Sequence, residues 1–233
     1  MMAMTAPSLL LAKAFVLAQM SVCPPAQRAP QVEVIFVPHK PAYVTDVPVK
    51  KLTERMRKNP DATHITAKRG DWRVFGSTEG RTNGTNYNVS FAVEDDLHGN
   101  VCYYVDRLHF TLHYKPQVFI AAELANHECY YKVTKLHEER HIAADLKVLR
   151  EYMPKVKMEI LYYLRAFGGQ GPFTAKDADK ESDRIMETIK KGIRPFLGKL
   201  YEARRSSQNE IDSVENYKYE SALCPGEWPE VEE

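Results

Sequence analysis

Residues 135–145 read KLHEERHIAAD, and within them His137, Glu138 and His141 stand at the spacing H-E-x-x-H. On an α-helix, positions i and i+4 lie about 40° apart around the axis, so the two imidazoles project from one face. Two histidines one turn apart can bind one tetrahedral zinc ion. A glutamate beside the first of them lies within reach of a zinc-activated water. It can take that water's proton as the oxygen attacks a carbonyl, then hand it to the departing amine. With 8 histidines in 233 residues, accident produces the bare pattern about once in forty such chains, so it needs structural context.

The helical wheel supplies some. Ile142, Leu146, Leu149 and Met153 fall on one side, while His137, His141, Asp145 and Val148 fall on another. A solvated charged helix accounts for Glu139 and Arg140 but gives no reason for two histidines on one stripe. Asp145 lies one turn beyond His141 but two turns, about 12 Å of rise, beyond His137. That distance makes it a support for an imidazole or a partner for a basic residue, not a ligand.

The elements that must position this helix come mostly before it. Residues 101–120, VCYYVDRLHFTLHYKPQVFI, carry the clearest sheet signal, with Leu108, Phe110, Leu112 and Tyr114 alternating against His109, Thr111 and His113. Pro116 is expected to divide this run into two strands. Residues 31–50 read as an edge strand plus extended chain, and Val49–Asn59 as a short helix stopped by Pro60. Residues 62–92 read as short strands, with turns at Arg69-Gly70-Asp71 and Asn83-Gly84. After a Gly-rich break at 168–172, residues 179–205 form a helix with Ile185, Ile189, Ile193, Phe196, Leu197 and Leu200 on one side. Pro195 is expected to kink or interrupt it. The tail from Ser206 holds a short helix. Strands first and helices after make an α+β pattern, an antiparallel-containing sheet followed by the motif helix and a C-terminal helical region.

Lys and Arg number 32 against 31 Asp and Glu, a net charge of +1, which gives no electrostatic argument for nucleic acid. No stretch is apolar for the roughly 18 residues a membrane span needs. Residues 1–30 resemble a secretory leader, with an apolar run and a Pro/Ala-rich exit, although Lys13 interrupts the run and no basic residue precedes it. Export would place the protein in the periplasm or outside the cell, with residues 31–233 as its domain (31–125 mainly strands, 126–233 mainly helical). Cys23, Cys102, Cys129 and Cys224 include no C-x-x-C pair, which argues against a zinc knuckle or a redox motif. In an oxidising compartment they allow two disulfides in three connectivities. Cys102 and Cys129 bracket one sheet-like segment and are the first expected pair, leaving Cys23 to Cys224.

The motif resembles the zincin superfamily of metallopeptidases, in which the active helix follows a sheet whose edge strand aligns the peptide. Phe119-Ile120-Ala121-Ala122-Glu123 is placed to be such a strand. The run from Cys102 to Asp145, with Val118–Ala121, Cys129-Tyr130-Tyr131 and HEERH, resembles more closely a family of uncharacterised bacterial secreted proteins with predicted zinc-peptidase sites. The later Gln208-Asn209-Glu210-Ile211-Asp212, Asn216-Tyr217 and Cys224 also resemble that group. The resemblance covers about half the chain, and it implies a zincin-like fold, Zn2+ as cofactor and a peptide or protein substrate.

A catalytic zinc needs a third protein ligand. The extended pattern H-E-x-x-H-x-x-G-x-x-H is absent, because position 144 is Ala and position 147 is Lys. Candidate carboxylates follow the Gly-rich break: Glu181, Asp183 and Glu187, as in glutamate-type zincins. Acidic residues also suit a plain solvated helix start. His109 and His113 form a competing pair on the strand, and Tyr152, Tyr162 and Tyr163 are candidate oxyanion donors. The expected activity is zinc-dependent peptide hydrolysis with Glu138 as general base. The alternative is a non-catalytic envelope or secreted protein that keeps the motif for structural metal or partner binding.

Overall fold

The computed structural model describes residues 23–58, 72–82, 86–95, 99–226 and 228–229. The turns read at 69–71 and 83–84, and residues 1–22 of the expected leader, lie outside them. Chain order is β1 (Gln31–Pro38), β2 (Ala42–Val47), α1 (Val49–Arg57), β3 (Gly76–Arg81), β4 (Asn86–Asp95) and β5 (Asn100–Ala121). After these come α2 (Glu128–Phe167), β6 (Gln170–Thr174), α3 (Ala178–Ile211) and α4 (Val214–Ser221). The α+β reading holds. No helix among the described residues is long and apolar enough to cross a membrane.

β5 is the strand on which the others assemble: β1, β2, β3, β4 and β6 all pair with it. The alternation read at 108–114 lies in its middle, and Leu108, Phe110, Leu112 and Tyr114 are fully buried. Burial of each such side chain contributes about 1.5–3 kcal/mol. Pro116 does not divide the strand. It sits opposite Gly80 of β3 and just before the parallel register with β2 begins at Gln117. A residue without an N–H is tolerated at such a ladder end.

Two compact units divide the chain. The first holds the described residues of 23–33, 87–109 and 158–194. In it β6 runs antiparallel to the start of β5, with Val101 opposite Phe173 and Tyr103 opposite Gln170. The Cys23–Cys102 disulfide (2.08 Å) and the Tyr104 hydroxyl, which donates to the Pro24 carbonyl at 2.9 Å, pin the chain from Cys23 onward against this strand. The buried Ile160, Leu164, Ile185, Ile189 and Ile193 form its helical core.

The second unit holds the described residues of 34–86, 110–157 and 195–229, and it contains the whole motif. Here β5 is central, flanked by β2 in parallel and β3 in antiparallel. The segment Phe119–Ala121, expected at an edge, is therefore interior. Glu123 has left the strand altogether, and its carboxylate accepts the Val49 N–H at 2.9 and 3.0 Å. It caps α1, whose preceding residue, Pro48, offers no side-chain cap.

The disulfides are Cys23–Cys102 and Cys129–Cys224, not the expected pairs. The segment between Cys102 and Cys129 is one continuous strand running into a helix, not a hairpin that returns its ends to each other. Each bridge closes within one unit. Two such bonds fit an oxidising compartment. Pro195 lies inside α3 without ending it. Buried residues on both sides, Ile193 before it and Leu197 and Leu200 after it, hold each half in place.

Candidate functional site

The wheel's two faces are both real, but the motif face is not solvated. Ile142, Leu149 and Met153 are buried on the core side, while His137, Glu138, His141 and Asp145 are buried on the other. What covers them is the end of α3 together with α4. Asp212 follows the last residue of α3, and its N–H still donates to the Gln208 carbonyl at 3.1 Å. From there its carboxylate reaches both histidines.

Three atoms converge. His137 Nε2 and His141 Nε2 are 3.1 Å apart, and Asp212 Oδ1 is 3.3 Å from the first and 3.2 Å from the second. Tetrahedral ligation at about 2.0–2.1 Å sets neighbouring donor atoms about 3.3 Å apart. The triangle thus has the size of one face of such a site. His137, His141 and Asp212 could hold a metal ion.

The other ring nitrogens are occupied, as metal-binding histidines require. Nδ1 of His137 lies 2.8 Å from the Glu220 carboxylate of α4, which is also paired with Arg140. Nδ1 of His141 meets Gln208 Oε1, and Gln208 Nε2 donates to the His141 carbonyl at 3.0 Å and to Asp145 at 2.8 Å. Donation from Nδ1–H leaves each Nε2 with its lone pair directed at the cluster. Asp145 is held in turn by Arg204, which also donates to the Gly80 carbonyl at 2.9 Å. Tyr217 completes the surround, donating its hydroxyl to Asp212 Oδ1 at 2.7 Å while its ring lies 5.1 Å from that of His137. The Cys129–Cys224 bridge ties the chain after α4 back to the first turn of α2.

Glu138 is 3 % exposed, and its Oε2 finds no hydrogen-bond partner. An orphaned carboxylate oxygen beside two imidazoles is costly unless something polar joins it. Strand β3 passes close over it. A Cβ at Gly76 would run into Glu138 Oε1 and Thr134, and one at Gly80 into Asp145 and Arg204. Only glycine lets the backbone approach so near. Residues 76–78 and 80 of β3 line a cavity of about 550 Å³ together with His137, Glu138, His141 and Asp212.

The remaining candidates are elsewhere. Glu181, Asp183 and Glu187 belong to the first unit and contribute no atom to the cluster. Glu187 pairs with Lys190 at 2.7 Å on an exposed stretch, the solvated-helix alternative, whereas Glu181 lies 3.4 Å from Arg184 and is largely covered. The carboxylate that joins the two histidines is Asp212, because the start of α3 packs beside the C-terminal part of α2, at Tyr163, and only its end reaches the motif. His109 and His113 do not form a site: His109 lies 2.8 Å from Glu33, and His113 3.1 Å from His39. Tyr162 is exposed, the Tyr163 hydroxyl donates to the Thr188 carbonyl, and Tyr152 stacks under Lys155. The tyrosine at the cluster is Tyr217, which was read only as part of the family resemblance, with no role.

In the metal-free protein the cluster shares charge. Burial disfavours charge on His141, but the hydrogen bond to Asp212 and the nearby Glu138 outweigh it and raise its pKa to about 9. His137 moves upward against burial for the same reasons. Burial works against the charge of Asp212 too, yet the bonds from His137, His141 and Tyr217 hold its carboxyl far below the usual range. A histidine whose folded pKa is raised contributes stability that is full below its unfolded value of 6.5 and lost as pH rises through about 9. Melting of the metal-free protein should therefore fall in temperature between pH 6.5 and 9. Bound metal replaces the proton on the same lone pairs and should flatten that slope. A metal-free melting temperature that rises over this window contradicts the assignment.

No protein-family model, curated protein or solved structure matches the chain.

Proposed function

We propose that this chain is a zinc-dependent metallopeptidase of the zincin type, exported to an oxidising compartment. The observation that carries the reading is the juxtaposition of the His137–His141–Asp212 triangle with the unpartnered Oε2 of Glu138 on one cavity. Two imidazoles and one carboxylate are a zinc-type donor set with a fourth position left for water or substrate. When bound, the ion supplies a Lewis acid that polarises a carbonyl and acidifies water.

The chain's own groups do the rest. Glu138 Oε2 accepts the proton of the attacking water and passes it to the amine nitrogen as the C–N bond breaks. Burial pushes the Glu138 carboxyl up from its ordinary value, toward the range of an efficient base. Burial, with Asp212 beside it, pushes the Tyr217 phenol far up, so it keeps its proton and holds Asp212 Oδ1 by donating to it. Glu220 and Gln208 fix the imidazole orientations. β3 is paired with β5 on one side only among the described residues, and its other edge can take an extended peptide by strand addition.

The test is cleavage of an unfolded protein such as reduced casein by protein loaded with one zinc per chain. Activity lost to a chelator and restored by zinc is the expected result. Fully loaded protein that leaves the substrate intact contradicts the reading.

A further inference from the structure

A second cavity, of about 890 Å³, adjoins the first and shares Trp72, Val74, Gly76, His137, Glu138 and Tyr217 with it. Phe75, Val133, Val214 and Trp228 line it and not the first cavity. They add to the shared Trp72 and Val74 an apolar surface beside the charged Arg73, Lys218 and Glu220. Trp228 is held there from several sides. Its ring packs at a tilt against Tyr130, centroids 4.6 Å apart, and Phe75, 4.8 Å apart, and Tyr130 donates to the Gly226 carbonyl at 2.9 Å. The Cys129–Cys224 bridge closes the base of the same segment. The wall is thus built before any ligand arrives, which lowers the ordering cost of binding.

The polar atoms of this lobe are as telling. Thr134 and Glu138, one turn apart on α2, both line it, and Thr134 Oγ1 and Glu138 Oε2 are both buried without a hydrogen-bond partner. A hydrocarbon chain would fill the walls and leave both atoms unpaired. A peptide residue with a large side chain brings apolar surface together with a backbone N–H and C=O.

We propose that this lobe is the specificity pocket of the site and takes a large aromatic or aliphatic side chain from the residue beside the bond to be cleaved. The proposal rests on the peptidase reading for its context, but its test does not depend on turnover. Trp72 and Trp228 are the only two tryptophans of the chain. Trp72 lines both cavities and Trp228 this lobe alone, so emission in a Trp72→Phe background reports on occupancy of the lobe.

Zinc-loaded protein is titrated with the hydroxamates of phenylalanine, glycine and aspartate, followed by calorimetry and tryptophan emission. The phenylalanine compound is expected to bind roughly 10- to 100-fold more tightly than the glycine compound, the range set by burying one such side chain, and to shift the emission. Ala222→Phe and Val214→Asp alter exposed positions at the lobe. Each should cut that advantage below about threefold and leave glycine hydroxamate affinity unchanged. Equal affinities for the three compounds, tightest binding of the aspartate compound, or no binding of any overturns the pocket. The two claims separate cleanly. Selective binding without cleavage removes the peptidase reading and keeps the lobe, whereas cleavage without side-chain preference does the reverse.

Discussion

Glu138→Gln is expected to lower kcat/KM for peptide cleavage by about 10³-fold while one metal ion stays bound per chain. The substitution keeps the shape of a side chain that is 3 % exposed and pressed against Gly76, so the fold has no steric reason to change. It removes the ability to accept a proton at Oε2, the atom without a partner. The amide also carries no charge into the buried site, so the protein should be no less stable, and a thermal melt serves as control. Equal metal content and equal melting with activity lost locates the defect in proton transfer. If Glu138 served only to pack against β3, the variant would retain cleavage, and metal content alone would not reveal the difference.

The second large effect belongs to Asp212→Ala. Removing an outer partner of a ligating histidine typically weakens metal binding 10- to 100-fold. Asp212 touches both imidazoles at their inner nitrogens, so its loss should exceed that range and weaken zinc by more than about 100-fold. The same change should erase the fall in metal-free stability between pH 6.5 and 9, because the hydrogen bond to Asp212 leads the causes that raise His141. Glu181→Gln and Glu187→Gln, at the other carboxylates considered, should leave zinc affinity unchanged. Loss of affinity in either of those variants, with Asp212→Ala binding normally, reverses the ligand assignment.

Much of this was legible in local pattern. The 108–114 alternation named the buried face of β5 residue by residue, because strand periodicity repeats every second position. The helix over HEERH and its apolar face followed from a period of 3.6. What stayed hidden depended on contacts distant in sequence. Asp212 stands 71 positions beyond His141, at a helix end where nothing nearby marks it as a ligand. The available signals were the family resemblance of 208–212, which gave Asp212 no role, and the Gln208/Asp212 spacing of four residues, echoing that of the histidines. Glu220 was invisible for the same reason, and Tyr217 entered only through the family resemblance, with no role. The disulfides misled because Cys102 and Cys129 bracket a strand that does not turn back. Pro116 misled because its missing N–H falls where the ladder can spare one. The carboxylates at 181–187 had the right chemistry in the right order, but the start of α3 lies in the other unit.

The most direct test is anomalous scattering at the zinc edge from crystals of the full chain grown with equimolar zinc. The expected result is one peak per chain, about 2.0–2.2 Å from His137 Nε2, His141 Nε2 and Asp212 Oδ1. A principal peak bound elsewhere, or a fully formed site with Asp212 turned away from it, contradicts the assignment.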